Sequence, residues 1–335
     1  MRVGFALPHY DFSYPDGKPV TWDRLVEAAL RAESLGFDSL WISDHFFLDI
    51  ERYGGPPGFQ GSIEPFTALG ALAVLTERAR LGTLVACAAF RHPAHLAKMA
   101  TAIDLASGGR FDLGLGAGWY EREFEAFGFR FGSAGERFAL LEETVRAVGA
   151  LFGQEPATFE GPTFRLDEAY NRPRPVQEGG PPVWIGGKGG ERLLRLVAKH
   201  AAGWNTAWRW SPGDHRERVD ALRGICEQVG RDPATVRLSV GLTTLVGEDG
   251  RDLQARYQAL QEWAPGRALD GTSLEDFAED TLTGPPDVCL ARLAEFAAHG
   301  VEEVIVSAAP LPFAVYDWSE VDLIAGALIP EAHRL

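Results

Sequence analysis

The run GFDSLWISDHF (36–46) climbs through apolar residues to Ile42 and then ends on two ionisable side chains, Asp44 and His45. Side chains alternate faces along a strand, so Ser39, Trp41, Ser43 and His45 share one face and Leu40, Ile42 and Asp44 the other. The apolar pair belongs against helices, which turns His45 toward an open strand end above Trp41. A histidine placed there can give or take a proton near neutral pH. The same residues also allow a structural account, with Asp44 capping a helix and His45 satisfied inside the fold.

Other candidate strand ends are equally unusual. In RFDLGLGAGWYERE (110–123), Asp112, Gly114 and Gly116 share a face from which side chains are missing. Glycine in a strand marks a close approach by something else, either a flat ring above or a packing adjustment between layers. In PPVWIGGKGGERLLRLVAKH (181–200), a glycine-rich turn opens a helix, with Lys188 and Arg192 adding positive charge. Free amides at the positive end of a helix suit a phosphate, although a plain connector reads the same way. Arg91, before Pro93, is either an anion contact or one half of a salt bridge. His95, inside the helix that follows, reads as structural.

Elements must bring these residues together. Strand candidates are 2–7, 38–43, 80–87, 110–116, 182–186, 203–207, 236–247 and 301–308. Helical periodicity fills 21–35, 65–77, 94–107, 134–152, 190–201, 212–229, 285–299 and 319–329. Helices ending at Gly36 and Gly300, each followed by a strand, repeat the same joint. Strands alternating with helices predict a parallel (β/α)8 TIM barrel, for which an open doubly wound sheet is the alternative. Barrel chemistry sits at the C-terminal strand tips, where all the residues above fall. Residues 155–181 and 248–283, the latter with Trp263, Pro265 and Gly266, interrupt the alternation and read as lids or substrate walls of a single domain spanning 1–335.

Bulk properties narrow the class. The 335 residues carry a net charge of −15, which argues against a nucleic-acid or anionic-membrane surface. No run nears the roughly 20 apolar residues of a membrane span. The N-terminus lacks a signal-peptide pattern. Cys87, Cys226 and Cys289 are far apart, with no disulfide framework or metal-ligand spacing. A cytoplasmic protein without nucleic-acid or membrane partners is expected.

Several long runs carry a resemblance: AESLGFDSLWISDHF, RLGTLVACAAFRHPAHLAKMATAIDLASGGRFDLGLGAGWYEREFEAFG, RPRPVQEGGPPVWIGGKGGERLLRLVAKHAAGWN and GPPDVCLARLAEFAAHGVEEVIVS. The chain resembles the bacterial-luciferase-like superfamily of flavin and deazaflavin enzymes, and within it the coenzyme F420-dependent oxidoreductases. The resemblance implies a tricyclic ring over the barrel mouth. It implies a bulge at Leu84, Val85 and Ala86, often with a non-prolyl cis peptide, beneath that ring. It further implies ring contacts from Gly116, Gly118 and Trp119, and a phosphate site at Gly186, Gly187, Lys188 and Gly189. Asp44 and His45 become the acid/base pair. Sugar-phosphate-oxidising relatives place a second proton-transfer glutamate just after the strand-4 glycines; this chain has Trp119 there, then Tyr120 and Glu121, which counts against glucose-6-phosphate.

The expected activity is hydride exchange between F420 and a small organic substrate. In it His45 handles the proton, Asp44 orients it or balances its charge, and His9, Trp41, Trp208 and Trp210 join Trp119 around the pocket. FMN, in a monooxygenase or reductase, is the alternative cofactor. A metal-dependent hydrolase using His9, Asp11, His45 and His92 lacks ligands from the fifth and sixth strands. A cofactor-binding protein without catalysis is a further alternative. The apolar helix 65–77 suggests a homodimer, or packing on the barrel.

Overall fold

Arg2–Ala6 (β1), Ser39–Ile42 (β2), Arg80–Thr83 (β3), Phe111–Gly116 (β4), Val183–Gly186 (β5), Gly203–Trp208 (β6), Arg237–Val246 (β7) and Val301–Ser307 (β8) pair in parallel, each with the next. β8 returns to β1, in register from Arg2↔Glu303 to Phe5↔Val306, so the sheet closes on itself. This is the expected TIM barrel, and closure sets aside the open-sheet alternative. The computed structural model describes residues 1–51, 58–153, 155–264 and 269–335.

Residues from the first halves of the strands plug the barrel interior. A Cβ on Gly82 would lie 2.2 Å from the Trp41 ring, and one on Gly203 would lie 2.4 Å from that of Trp184. Strand glycines here let two indoles lie across the axis. Buried charges among them are paired: Asp112 accepts from Arg80 Nε (2.5 Å) and Trp184 Nε1 (3.0 Å), and Glu303 meets Arg2 (3.1 Å). The apolar core lies outside the sheet, where Leu40, Ile42, Leu81, Leu113 and Val304 meet the helices.

Eight helices surround the strands: Trp22–Ser34 (α1), Pro65–Leu75 (α2), Pro93–Ser107 (α3), Ala134–Phe152 (α4), Glu191–His200 (α5), Pro212–Val229 (α6), Pro286–Ala298 (α7) and Trp318–Ala327 (α8). Their starts follow capping chemistry, with Thr21, Glu64, His92 and Ser211 side chains accepting first-turn amides and Ser133 with Glu136 forming a capping box. Gly36 and Gly300 after α1 and α7 both take φ of +97°, as the repeated joint predicts. Among the described residues, no helix is long and apolar enough to cross a membrane.

The first insertion does not line the mouth. Its hairpin, Ala157–Glu160 with Arg165–Ala169, packs outside the barrel on α4, where Glu143 accepts from the amides of Thr163 (2.7 Å) and Phe164 (2.6 Å). Asn171 then donates to Thr101 of α3, and Arg174 caps the last carbonyls of α4. Its proline-rich passage and arginines serve these helix ends, so the lid reading is corrected to cladding. The second insertion holds helices Gly250–Trp263 and Leu274–Ala278 and a strand, Leu282–Gly284, added to the tip of β7. Trp263 packs against Tyr316 and the apolar cluster of the mouth, while Pro265 and Gly266 lie outside the described residues.

Candidate active site

β2 delivers Asp44 and His45 to the mouth, and the two part company there. His45 Nδ1 lies 2.9 Å from Glu123 Oε1, and Glu123 Oε2 accepts from the Phe46 amide at 3.0 Å. The Glu123 side chain is 2% exposed and that of His45 13%. Asp44 turns outward, as strand alternation requires. It accepts from the Cys87 amide (2.9 Å) and forms a bidentate pair with Arg91 at 2.6 and 3.0 Å. Arg91 also reaches Glu64 (2.7 Å). The expectation that Asp44 orients His45 is therefore corrected: Glu123 holds the imidazole, and Asp44 ties β2 to the loop before α3. Arg91 is a salt-bridge partner rather than an anion contact.

His9 lies beneath the rim, not on it. Its Nδ1 faces the Leu7 carbonyl (2.8 Å) and its Nε2 faces Ser43 Oγ (3.0 Å), which also meets the Tyr10 hydroxyl. Full burial pushes its pKa down to about 3, so it stays neutral. Trp41 is likewise buried, its Nε1 donating to Ser39 Oγ (2.7 Å) inside the barrel. Neither residue walls an open pocket as expected. Tyr10, stacked on Phe12, instead stands between this buried chain and His45, with ring centroids 6.5 Å apart.

The space above Gly114 and Gly116 is filled from within the chain. β3 breaks after Thr83, resumes at Ala86–Cys87, and carries a cis peptide between Leu84 and Val85. Val85 enters the barrel there. A Cβ on Gly116 or on Gly186 would come within 2.6 Å of its methyl groups, and one on Gly114 within 3.1 Å. The missing side chains thus make room for Val85, which becomes the floor of the mouth. Leu84 joins the apolar cluster of the rim, whereas Ala86 faces the outer core and is not a mouth residue. Gly118, at φ +76°, packs against Phe124 and Cys87, whose thiol is pushed up to about 12 by burial. Trp119, 44% exposed, stands edge-on to His45 at 5.5 Å.

Across the mouth, β5 runs through Gly186–Gly190 into α5. Trp204 Nε1 donates to the Gly187 carbonyl (2.9 Å) and its ring packs under Gly189, where a Cβ would sit 2.9 Å away. Gly190 caps α5 without a side chain, which leaves first-turn amides for water or an anion. Lys188 Nζ lies 4.9 Å above the Trp210 ring, and burial lowers its pKa against the pull of Asp280. Trp210 is buried behind this loop against His215, so it is removed from the expected pocket wall. Trp208 keeps its place at the mouth, edge-on to Phe313 at 5.1 Å. Among the described residues, no group of three or more His, Cys, Asp and Glu could hold a metal ion. Asp11 is taken up by the Gly61 amide and His92 by the start of α3.

A model of the luciferase-like monooxygenase family matches residues 1–303. The chain belongs to this family. Its relatives include the uncharacterized protein Rv0953c of Mycobacterium tuberculosis, 32% identical over 83% of this chain and 91% of that protein. They also include the phthiodiolone/phenolphthiodiolone dimycocerosates ketoreductase of M. tuberculosis, 27% identical over 82% of this chain and 84% of that one. Monooxygenase RslO1 of Streptomyces bottropensis superimposes over the whole of both chains, with a TM-score of 0.77 at 25% identity. An F420-dependent secondary alcohol dehydrogenase in complex with an F420-acetone adduct shares the fold over 99% of this chain and 98% of its own, with a TM-score of 0.75 at 19% identity. Luciferase-like neighbours thus include F420-dependent enzymes and monooxygenases, and this protein is an oxidoreductase or monooxygenase of that kind.

Glu123 is the residue of this luciferase-like site that sequence reading passed over. It lies on the short helix Glu121–Ala126, whose inward stripe holds Tyr120, Glu123 and Phe124. Apolar Phe124 beside it is a weak local hint, since a helix of 6 residues is too short to show a period.

Proposed function

We propose that this protein is an F420-dependent oxidoreductase that interconverts a small, partly apolar carbonyl compound and its alcohol. What carries the reading is the state of His45. Its Nδ1 is committed to Glu123, while Nε2 has no hydrogen-bond partner among the described residues. Such an imidazole, at a barrel mouth, is equipped to pass a proton to a bound substrate.

The rest of the rim fits a flat ring with an anionic tail. Val85, set among Gly114, Gly116 and Gly186, offers an apolar floor under a planar group. Amides of Lys188–Gly190 and the start of α5, beside the Lys188 side chain, would hold a phosphate, while the Gly187 amide is kept by the Asn205 carbonyl. When bound, a deazaflavin supplies or accepts a hydride at its C5. His45 would give its proton to the oxygen of a bound carbonyl compound and would take it back from the alcohol in the reverse direction. Trp119, Trp208 and Phe313 keep the space apolar and exclude water. Support also comes from a relative named a ketoreductase and a neighbour named a secondary alcohol dehydrogenase.

An FMN-dependent monooxygenase or reductase is the second reading, favoured by the likeness to monooxygenase RslO1. Titrating the purified protein with F420 and with FMN separates the two. F420 binding, followed by ketone-dependent loss of reduced-cofactor signal, is expected. Binding of FMN without F420 overturns the assignment.

A further inference from the structure

We infer that Glu123 is the positioning residue of this site: it fixes the proton of His45 on Nδ1 and so makes Nε2 the nitrogen that exchanges with substrate. The inference rests on the reading of His45 as proton carrier and deepens it.

The geometry leaves the carboxylate little choice. One oxygen faces His45 Nδ1 at 2.9 Å and the other accepts from the Phe46 amide at 3.0 Å. A backbone N–H is an obligatory donor, so the second oxygen is committed. An ionised carboxylate only accepts, so the ring nitrogen opposite the first oxygen must carry hydrogen. Neutral His45 is thereby the Nδ1–H tautomer, with its lone pair on Nε2. The protonated ring keeps the same Nδ1–H and adds one at Nε2. Proton gain and loss are confined to one atom.

The platform beneath is rigid. Phe124, next to Glu123, is fully buried against Phe90, Phe129 and Phe131. Tyr120 at the start of the helix accepts from the Asp49 amide (3.1 Å), tying it to the segment beyond His45. The His45 carbonyl accepts from Ser62, so the histidine backbone is held as well. These contacts account for a charged residue buried on the inner stripe of a short helix. They also distinguish Glu123 from the glutamate of the sugar-phosphate oxidisers, whose place is taken here by Trp119.

Glu123→Gln tests the assignment because the Phe46 amide dictates how the new side chain sits. The glutamine oxygen must face that amide, which turns its NH2 toward His45 Nδ1 and demands a lone pair there. The tautomer should invert. Nitrogen-15 NMR of histidine-labelled protein, without cofactor, reads this directly. Wild type is expected to show protonated Nδ1 and basic Nε2, Glu123→Gln the reverse, and Glu123→Asp the wild-type pattern. In turnover, Glu123→Gln is expected to lose about 100-fold or more in kcat with little change in cofactor affinity, and Glu123→Asp to recover part of it. A wild-type spectrum with the proton on Nε2 overturns the inference, and decides it even if Glu123→Gln fails to fold. Glu123→Gln retaining Nδ1–H overturns it equally. Inversion without loss of turnover would leave Glu123 as the tautomer-setting group and remove His45 from proton transfer, so the two failures are distinguishable.

Discussion

Two histidines of this protein use the same nitrogen at the same distance to opposite ends. His45 Nδ1 meets Glu123 at 2.9 Å on the rim, and His215 Nδ1 meets His299 Nε2 at 2.9 Å behind the β5 loop. His215 is fully buried, stacked on Trp204 at 5.4 Å and flanked edge-on by Trp210 and Phe296. Burial, with His299 alongside, pushes its pKa down to about 3. It serves as packing, propping through Trp204 the loop that carries Gly187 and Gly189. The contrast teaches that a short bond at Nδ1 does not by itself equip a histidine for proton exchange. A carboxylate partner and a second nitrogen left open at the mouth are what His45 has and His215 lacks.

The largest way to break this contrast is at the rim. His45→Ala is expected to lower kcat by about 100- to 10,000-fold, with F420 affinity kept; turnover unchanged in steady-state assays would cancel the distinction. Asp44, its neighbour in sequence, should behave as the inward histidine's opposite. Asp44→Asn leaves Arg91 in a buried, half-broken pair and should cost about 3–5 kcal/mol of stability in urea unfolding. His45→Ala strips one donor from the buried Glu123 carboxylate and should cost less, about 1–3 kcal/mol.

The smallest effect sharpens the buried side. A histidine held near 3 in the folded state and near 6.5 when unfolded leaves the unfolded chain binding the extra proton between those values. Stability should therefore be complete above about pH 6.5 and fall as pH drops toward 3, by roughly 1.4 kcal/mol per pH unit for each such group. His9 and His215 both contribute. His215→Leu should flatten the slope of unfolding free energy against pH by one proton. A slope equal to wild type would mean that His215 is already charged in the folded protein.

How far the sequence reveals this arrangement depends on the length scale of each signal. The eight strands and the long helices are legible because alternation and helical period repeat over many residues; 134–152 and 212–229 match α4 and α6 end to end. The break after Thr83 is not legible as a pattern, since RLGTLVAC reads as one apolar strand; the family resemblance puts a bulge there, and the fit of Val85 among Gly114, Gly116 and Gly186 shows that it bends inward. Residues near the mouth are recognisable as a set, but their depth is not. Trp41 and His9 alternate toward the barrel axis as expected, yet lie a layer too low. Trp210 falls just past the strand whose end Trp208 marks. Strand alternation already parts Asp44 from His45, and it is the family resemblance that makes them one acid/base pair. Glu123 comes from a helix too short to show a period.

Val85 has one more implication. Three positions on two strands, Gly114 and Gly116 of β4 and Gly186 of β5, give up their side chains beside a single isopropyl group. The elevation of whatever rests on it is then adjustable at one codon: alanine would lower the seat and isoleucine would raise it. Redesigning the chamber for a bulkier guest can begin there, with the walls and the His45–Glu123 pair left as they are.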